Sequence, residues 1–172
     1  MSQDDRSTII NLLNLYALAV DTQRWDLFDR IFTPDVEADF GSNAHWRDLS
    51  SFKRDFAVFH DPFEATQHTM ANHQVALDGD RANTMAYGHW RLIRTMPKGG
   101  NMWEGCGWYD DRLVRTAKGW RIRHRVCRVL WWGGNGQVRE TIPGVSFEEE
   151  LSALRREAAA GHVSYLGAIA KG

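Results

Sequence analysis

HTMANHQVALDGDRANTMAYGHWRLIRTMPKGGNMWEGCGWYDDRLVRTAKGWRIRHRVCRVLWW, residues 68–132, holds four strand-like runs: His68–Leu77, Ala82–Thr95, Asn101–Val114 and Trp120–Trp132. The breaks between them are Asp78-Gly79-Asp80, Pro97-Lys98-Gly99-Gly100 and Ala117-Lys118-Gly119. Each break supplies residues that tolerate a tight reversal, so successive runs pair as antiparallel neighbours in a meander.

Upstream of Pro62 the period is helical. Ile9, Leu12, Leu13, Tyr16 and Val20 recur at spacings of three and four and give one apolar face to a helix over about residues 5–20. Ser7 or Ser2 could cap its start. A shorter helix is expected from about Trp25 to Phe32, stopped by Pro34, followed by a strand over Val36–Phe40. Leu49–Phe59 reads as a third helix with Phe52, Phe56 and Phe59 on one side. Helices first and a meander afterwards is an α+β order, not an alternating βαβ one.

Downstream, Gly133-Gly134-Asn135-Gly136 ends the last strand, and Pro143-Gly144 leads to a helix expected from about Ser146, with Glu148, Glu149 and Glu150 near its positive end. The apolar run Val163–Ala170 is too hydrophobic to hang free and is expected to pack on a neighbouring subunit or over a pocket mouth. The 172 residues fit one domain, a core over about 5–135 and an extension over about 136–172. With 21 basic against 22 acidic residues the net charge is −1, so no strong field favours nucleic acid or anionic lipid. No apolar run approaches the ~20 residues that span a bilayer. The polar start, Met1-Ser2-Gln3-Asp4-Asp5-Arg6, is unlike a leader, and Cys106 and Cys127 lack metal or redox spacing. A cytoplasmic protein with reduced thiols is expected.

Three segments carry chemistry: Tyr16-Ala17-Leu18-Ala19-Val20-Asp21 with Trp25-Asp26, then Phe32-Thr33-Pro34-Asp35, then Thr66-Gln67-His68. In order and spacing over about residues 8–132, they resemble the SnoaL-like superfamily, which includes scytalone dehydratase, hexachlorocyclohexane dehydrochlorinase and bile-acid 7α-dehydratase. The resemblance implies a curved antiparallel sheet forming a cone around the N-terminal helix, with a C-terminal helical tail. It also implies a catalytic dyad of Asp21 and His68, with Tyr16 at the interval where the bile-acid enzyme shows a tyrosine. Imidazole suits proton abstraction near pH 7, and a carboxylate on its other nitrogen fixes the tautomer. The plain structural alternative is that Asp21 closes a helix, His68 is a core histidine and Tyr16 packs.

Against scytalone dehydratase there are departures. The tyrosine it carries before the aspartate is Val20 here, its first-strand tyrosine corresponds to Phe40, and its third-strand asparagine to Tyr109. Simple alternation puts His68, Met70 and Asn72 on one face with His73 on the other, unless a bulge intervenes. That geometry argues against a His68–His73 metal pair, and no other metal or phosphate motif is present. His89 beside Trp90 reads as structural. Alternation also gives Trp120, Ile122, His124 and Val126 one face and Arg121, Arg123 and Arg125 the other. Arg125 or Arg128 could reach an oxyanion. Phe40, Trp46, Met70, Asn72 and Tyr109 are the candidate substrate-binding residues, with some of Trp103, Trp108, Trp131 and Trp132 lining a hydrophobic cavity.

The expected function is a cofactor-independent and metal-independent lyase, dehydratase-like, or an isomerase on a small hydrophobic ring compound. By resemblance, a homotrimer is the expected assembly. The alternative is a non-catalytic binding or assembly subunit of the kind found as the β subunit of ring-hydroxylating dioxygenases.

Overall fold

In the computed structural model, which describes residues 3–41, 44–143 and 150–170, the chain is α+β. Helix α1 (Gln3–Asp21) carries Ile9, Leu13, Tyr16, Ala19 and Val20 as a buried stripe. It begins before Ser7, which therefore lies inside the helix and not at its cap; Ser2 falls outside the described residues. The helix ends through a left-handed Gln23 (φ 51°), whose N–H donates to the Val20 carbonyl while Arg24 N–H donates to that of Ala19.

A 3₁₀ turn (Trp25–Leu27) and the single-turn α2 (Phe28–Ile31) lead into β1 (Phe32–Asp39). Pro34 does not stop the helix, which has already ended at Ile31; it lies within β1. Its missing N–H is harmless there, because the pairing of β1 with β6 shifts register between Phe32 and Glu37. A short β2 (His45–Trp46) pairs back on β1. Helix α3 (Leu49–His60) is capped by Asp48, whose carboxylate accepts from Ser51 N–H at 2.8 Å.

The meander follows as β3 (Ala65–Asp78), β4 (Arg81–Ile93), β5 (Met102–Thr116) and β6 (Gly119–Gly134), with antiparallel pairing throughout. The full sheet has six strands in the order β2-β1-β6-β5-β4-β3, and only the β1–β6 pair is parallel among them. It curves without closing. One face packs against α1, α2 and α3 around a core that includes Phe28, Phe52, Trp90, Tyr109 and Ile122.

Bulges in β3 and β6 overturn simple alternation. Three β3 steps, Ala71 to Gln74, oppose two on β4, so the side-chain order inverts there. Asn72 is exposed at that bulge with φ 53°, a conformation asparagine tolerates, and leaves the face of His68 and Met70. His73 turns inward instead. On β6 the register shifts between His124 and Ile122, so Arg125 enters the core while Arg123 stays exposed.

Beyond β6, the main chain at Ser152 donates to the Val129 carbonyl at 2.8 Å, along a stretch of β6 that β1 does not reach. Short helices α4 (Leu154–Ala159) and α5 (Ser164–Ile169) close the chain. The helix expected from Ser146 starts outside the described residues. Rather than covering a pocket mouth, α5 packs on the outer face of this chain's own sheet, against β3, β4 and β5. Asp110, buried on that face, accepts from Ser164 N–H at 2.7 Å and Tyr165 N–H at 3.1 Å, and Val163 is buried beside it. Among the described residues no helix is long and apolar enough to cross a membrane.

Candidate active site

The last residue of α1 meets the second and fourth residues of β3. Asp21 Oδ1 lies 2.7 Å from His68 Nδ1 and accepts the Thr66 hydroxyl at 2.8 Å, while Oδ2 accepts His68 N–H at 2.8 Å. Three donors therefore converge on one carboxylate from a single strand. The position of α1 follows from its buried stripe, and its end is tied to α3 by Gln23 Nε2 donating to the His60 carbonyl at 3.0 Å. Burial pushes the Asp21 carboxyl up, but the His68 ring, its backbone N–H and Thr66 outweigh that and hold it below the usual carboxylate range. With Asp21 ionised, its oxygen can only accept. Nδ1 of His68 therefore carries the proton, and Nε2 is the nitrogen that can take one up.

The imidazole sits among rings. Successive centroid distances run Tyr16–His68 6.4 Å, His68–His60 6.4 Å, His60–Phe56 5.1 Å, Phe56–Phe40 5.3 Å, Phe40–Tyr109 6.4 Å and Tyr109–Tyr16 5.8 Å. These six side chains form a closed circuit, and the His68 side chain is only 7% exposed. Small residues make room for it. A Cβ on Gly107 would lie 1.8 Å from the Arg128 carbonyl and 2.7 Å from the Trp90 ring, so only glycine lets that indole cross the strand. Trp90 Nε1 then donates to Tyr109 Oη at 2.8 Å.

Beneath the circuit lies Arg125, fully buried. It donates from Nε and Nη2 to both oxygens of Asp111 at 2.8 and 2.7 Å. Its guanidinium stands 4.1 Å from the Tyr16 ring centroid and 4.5 Å from that of Tyr109. Burial raises both phenols above their ordinary range, with Arg125 only partly opposing this, so both remain protonated at neutral pH. The other candidate arginine, Arg128, points to the outer face and pairs with Asp39 at 2.8 Å.

Residues 2–126 match the SnoaL-like domain family. The chain belongs to that family. An uncharacterised protein of Mycobacterium tuberculosis is 34% identical over 135 residues, which is 71% of this chain and 83% of the relative. Among solved structures, the Kfla4162 protein of Kribbella flavida superposes with a TM-score of 0.75 at 27% identity, covering 80% of this chain and 98% of that one. A Novosphingobium aromaticivorans protein described as a scytalone dehydratase gives 0.68 at 15% identity, over 84% and 88%. A type 2 hexachlorocyclohexane dehydrochlorinase gives 0.66 at 15%, over 83% and 92%. At that identity the last two are alike in fold.

Within this SnoaL-like cone, Tyr16, Asp21, His68 and Tyr109 come together. Phe40 joins them through the ring circuit, and Trp46 backs it, 5.9 Å from Phe40, with its indole N–H on Asp55. Met70 packs against the same core. Asn72 does not reach the site. Of the other tryptophans, Trp103 faces inward, Trp108 is buried on the face that α5 covers, and Trp131 and Trp132 are exposed. His89 lies on the outer face with Glu104 and Trp131. An open groove of about 630 Å³ bordered by Glu37, Arg81, Arg112 and His124 contains none of these residues. Among the described residues no three His, Cys, Asp or Glu side chains are grouped to hold a metal ion.

Thr66 was legible only as part of a motif, although it shares a face with His68 two residues on. His60 gave no signal. It is buried, its Nδ1–H donates to the Phe56 carbonyl at 2.7 Å, and burial, with the neighbouring His68, lowers its pKa from 6.5 to about 3. Between those values the unfolded chain binds a proton that the native chain refuses, so stability is complete above pH 6.5 and declines as pH falls. Denaturant unfolding from pH 6.5 to 5 should show a slope of up to about 1.4 kcal/mol per pH unit from this residue. His60→Leu should flatten that slope, whatever it does to the absolute stability.

Proposed function

We propose that this chain is a cofactor-independent lyase, dehydratase-like, or an isomerase acting on a hydrophobic ring compound. The observation that carries the reading is the 2.7 Å contact between Asp21 and a His68 side chain withdrawn from water among aromatic rings. His68 Nε2 removes a proton from a ring carbon. The electron pair then either expels a leaving group from the adjacent carbon or moves onto a conjugated carbonyl oxygen. Asp21 stabilises the imidazolium so formed. Tyr16 or Tyr109, held protonated by burial, hydrogen-bonds or protonates the oxygen, with the Arg125 charge behind both rings. Phe40, Trp46 and Met70 supply apolar contact. Catalysis in a homotrimer belongs to the same proposal. Exposed Leu130, Trp131, Trp132 and Leu151, near the end of β6, support a partner surface.

The test is hydrogen exchange. The protein is incubated in D₂O with α-tetralone and chroman-4-one, and deuterium at the carbon next to the carbonyl is followed by NMR. Exchange above the buffer rate that disappears in His68→Ala is the expected result. Equal exchange in both proteins, or none in either, would reject the base and leave the non-catalytic binding or assembly reading.

A further inference from the structure

The bulge that turns Arg125 into the core also arranges the other side of the sheet. Tyr109, Asp111 and Leu113 of β5 face inward, so Arg112 stands on the outer face, exposed. Its cross-strand partners are Asn83 of β4 and His124 of β6, and His124 is paired in turn with Glu37 of β1. One residue from each of four strands thus forms a row, Asn83, Arg112, His124 and Glu37, along the open groove of about 630 Å³. Arg81 borders the same groove. It lies opposite Val114, which places it diagonal to Arg112, a spacing at which two long side chains reach one ligand group.

The arginines of this groove are not equal. Arg123 is taken up by Asp35 at 2.9 Å. Arg81 and Arg112 make no ion pair and no side-chain hydrogen bond among the described residues. The Arg112 charge is felt at His124: burial first, and that charge next, lower the imidazole below the ordinary histidine range, against the opposing pull of Glu37, Asp111 and Asp110. His124 is therefore neutral at pH 7. Two unpaired guanidinium forks beside an imidazole and a primary amide are a donor set that matches the oxygens of a phosphate. The carboxylates on the border, Glu37 beside His124 and Asp78 across from Arg81, repel an anion but accept hydroxyl groups. They confine the anion to the space between the arginines and favour a hydroxylated remainder.

We propose that this groove is a second ligand site that binds a phosphate monoester of a hydroxylated small molecule, with Arg81 and Arg112 as the phosphate-binding residues. It lies on the opposite face of the sheet from Asp21 and His68 and rests neither on the dyad nor on turnover.

The probes are glucose 6-phosphate, glucose and gluconate, titrated calorimetrically into the full chain at pH 7 and low salt, where the ester is largely dianionic. Glucose 6-phosphate should bind on the order of tenfold or more tightly than either of the others. Arg81→Gln and Arg112→Gln should each weaken it on the order of tenfold, and as exposed positions both variants should stay folded. Arg123→Gln should change it by less than about threefold, and His68→Ala should bind as the wild type does. In NMR titrations the His124 midpoint should rise when the ester is bound, because an anion beside the ring favours its charged form. Binding of the ester no tighter than that of glucose or gluconate overturns the proposal. So does wild-type affinity in Arg81→Gln or Arg112→Gln, an equal loss in Arg123→Gln, or a His124 midpoint that stays in place.

Discussion

His68→Ala should lower turnover by on the order of 10²–10⁴-fold while the protein remains folded. The chemical part of that expectation comes from the geometry. Nδ1 is committed to Asp21, so Nε2 is the basic atom, and alanine removes it. The structural part comes from what stays behind. Asp21 would still accept the Thr66 hydroxyl and the backbone N–H of residue 68, so its carboxylate is not orphaned. Steady-state kinetics with circular dichroism on the same samples separate the two. A variant that turns over within threefold of wild type would remove His68 from the mechanism. One that is simply unfolded would show the contact to be architectural.

Asp111→Ala should destabilise the fold by about 3–5 kcal/mol, because it leaves a guanidinium uncompensated in the core. Arg125 and Asp111 are 0% and 1% exposed at their side chains, and two short hydrogen bonds join them. The carboxylate raises the Arg125 pKa further in spite of burial, so Arg125 cannot escape by losing its proton. The double replacement Asp111→Leu with Arg125→Met should recover much of the loss, since no buried charge then remains. Asp39→Ala, which removes the partner of the half-buried Arg128, should cost far less, nearer the ~1 kcal/mol of a surface pair. Urea unfolding of the three variants and the wild type checks this. Equal losses for Asp111→Ala and Asp39→Ala would mean that burial does not set the cost.

What could be read ahead of the structure divides along physical lines. The meander was legible because Asp78-Gly79-Asp80 and Ala117-Lys118-Gly119 announce reversals locally, and α1 because its stripe is long and regular. The meeting of Asp21 and His68 was expected from the family resemblance of the segments that carry them, and the contact is present at 2.7 Å. The bulges were not legible. One inserted residue at Asn72 or Arg123 inverts the side chains that follow it, and nothing nearby in the sequence forces it apart from the tolerance of asparagine for positive φ. That is why Asn72 was expected on the face of His68 and Met70, and why alternation grouped Arg125 with Arg121 and Arg123 and could not choose between Arg125 and Arg128 as the arginine that reaches inward. The contacts of Asp110 depend on how the C-terminal extension folds back, and such long-range contacts leave no periodic trace.

Asp21 and His68 are proposed to act as one unit. The measurement that bears on it most directly is a double-mutant cycle on kcat/KM, using whichever ring ketone the wild type exchanges. Asp21→Asn alone should be severe, on the order of 10²-fold or more, because an amide can hold the imidazole in the wrong tautomer and cannot stabilise its charge. If the two residues work together, Asp21→Asn with His68→Ala should be little worse than the worse single variant. Losses that multiply in the double variant would mean that the two side chains act independently, and the account of a carboxylate-oriented base would be wrong.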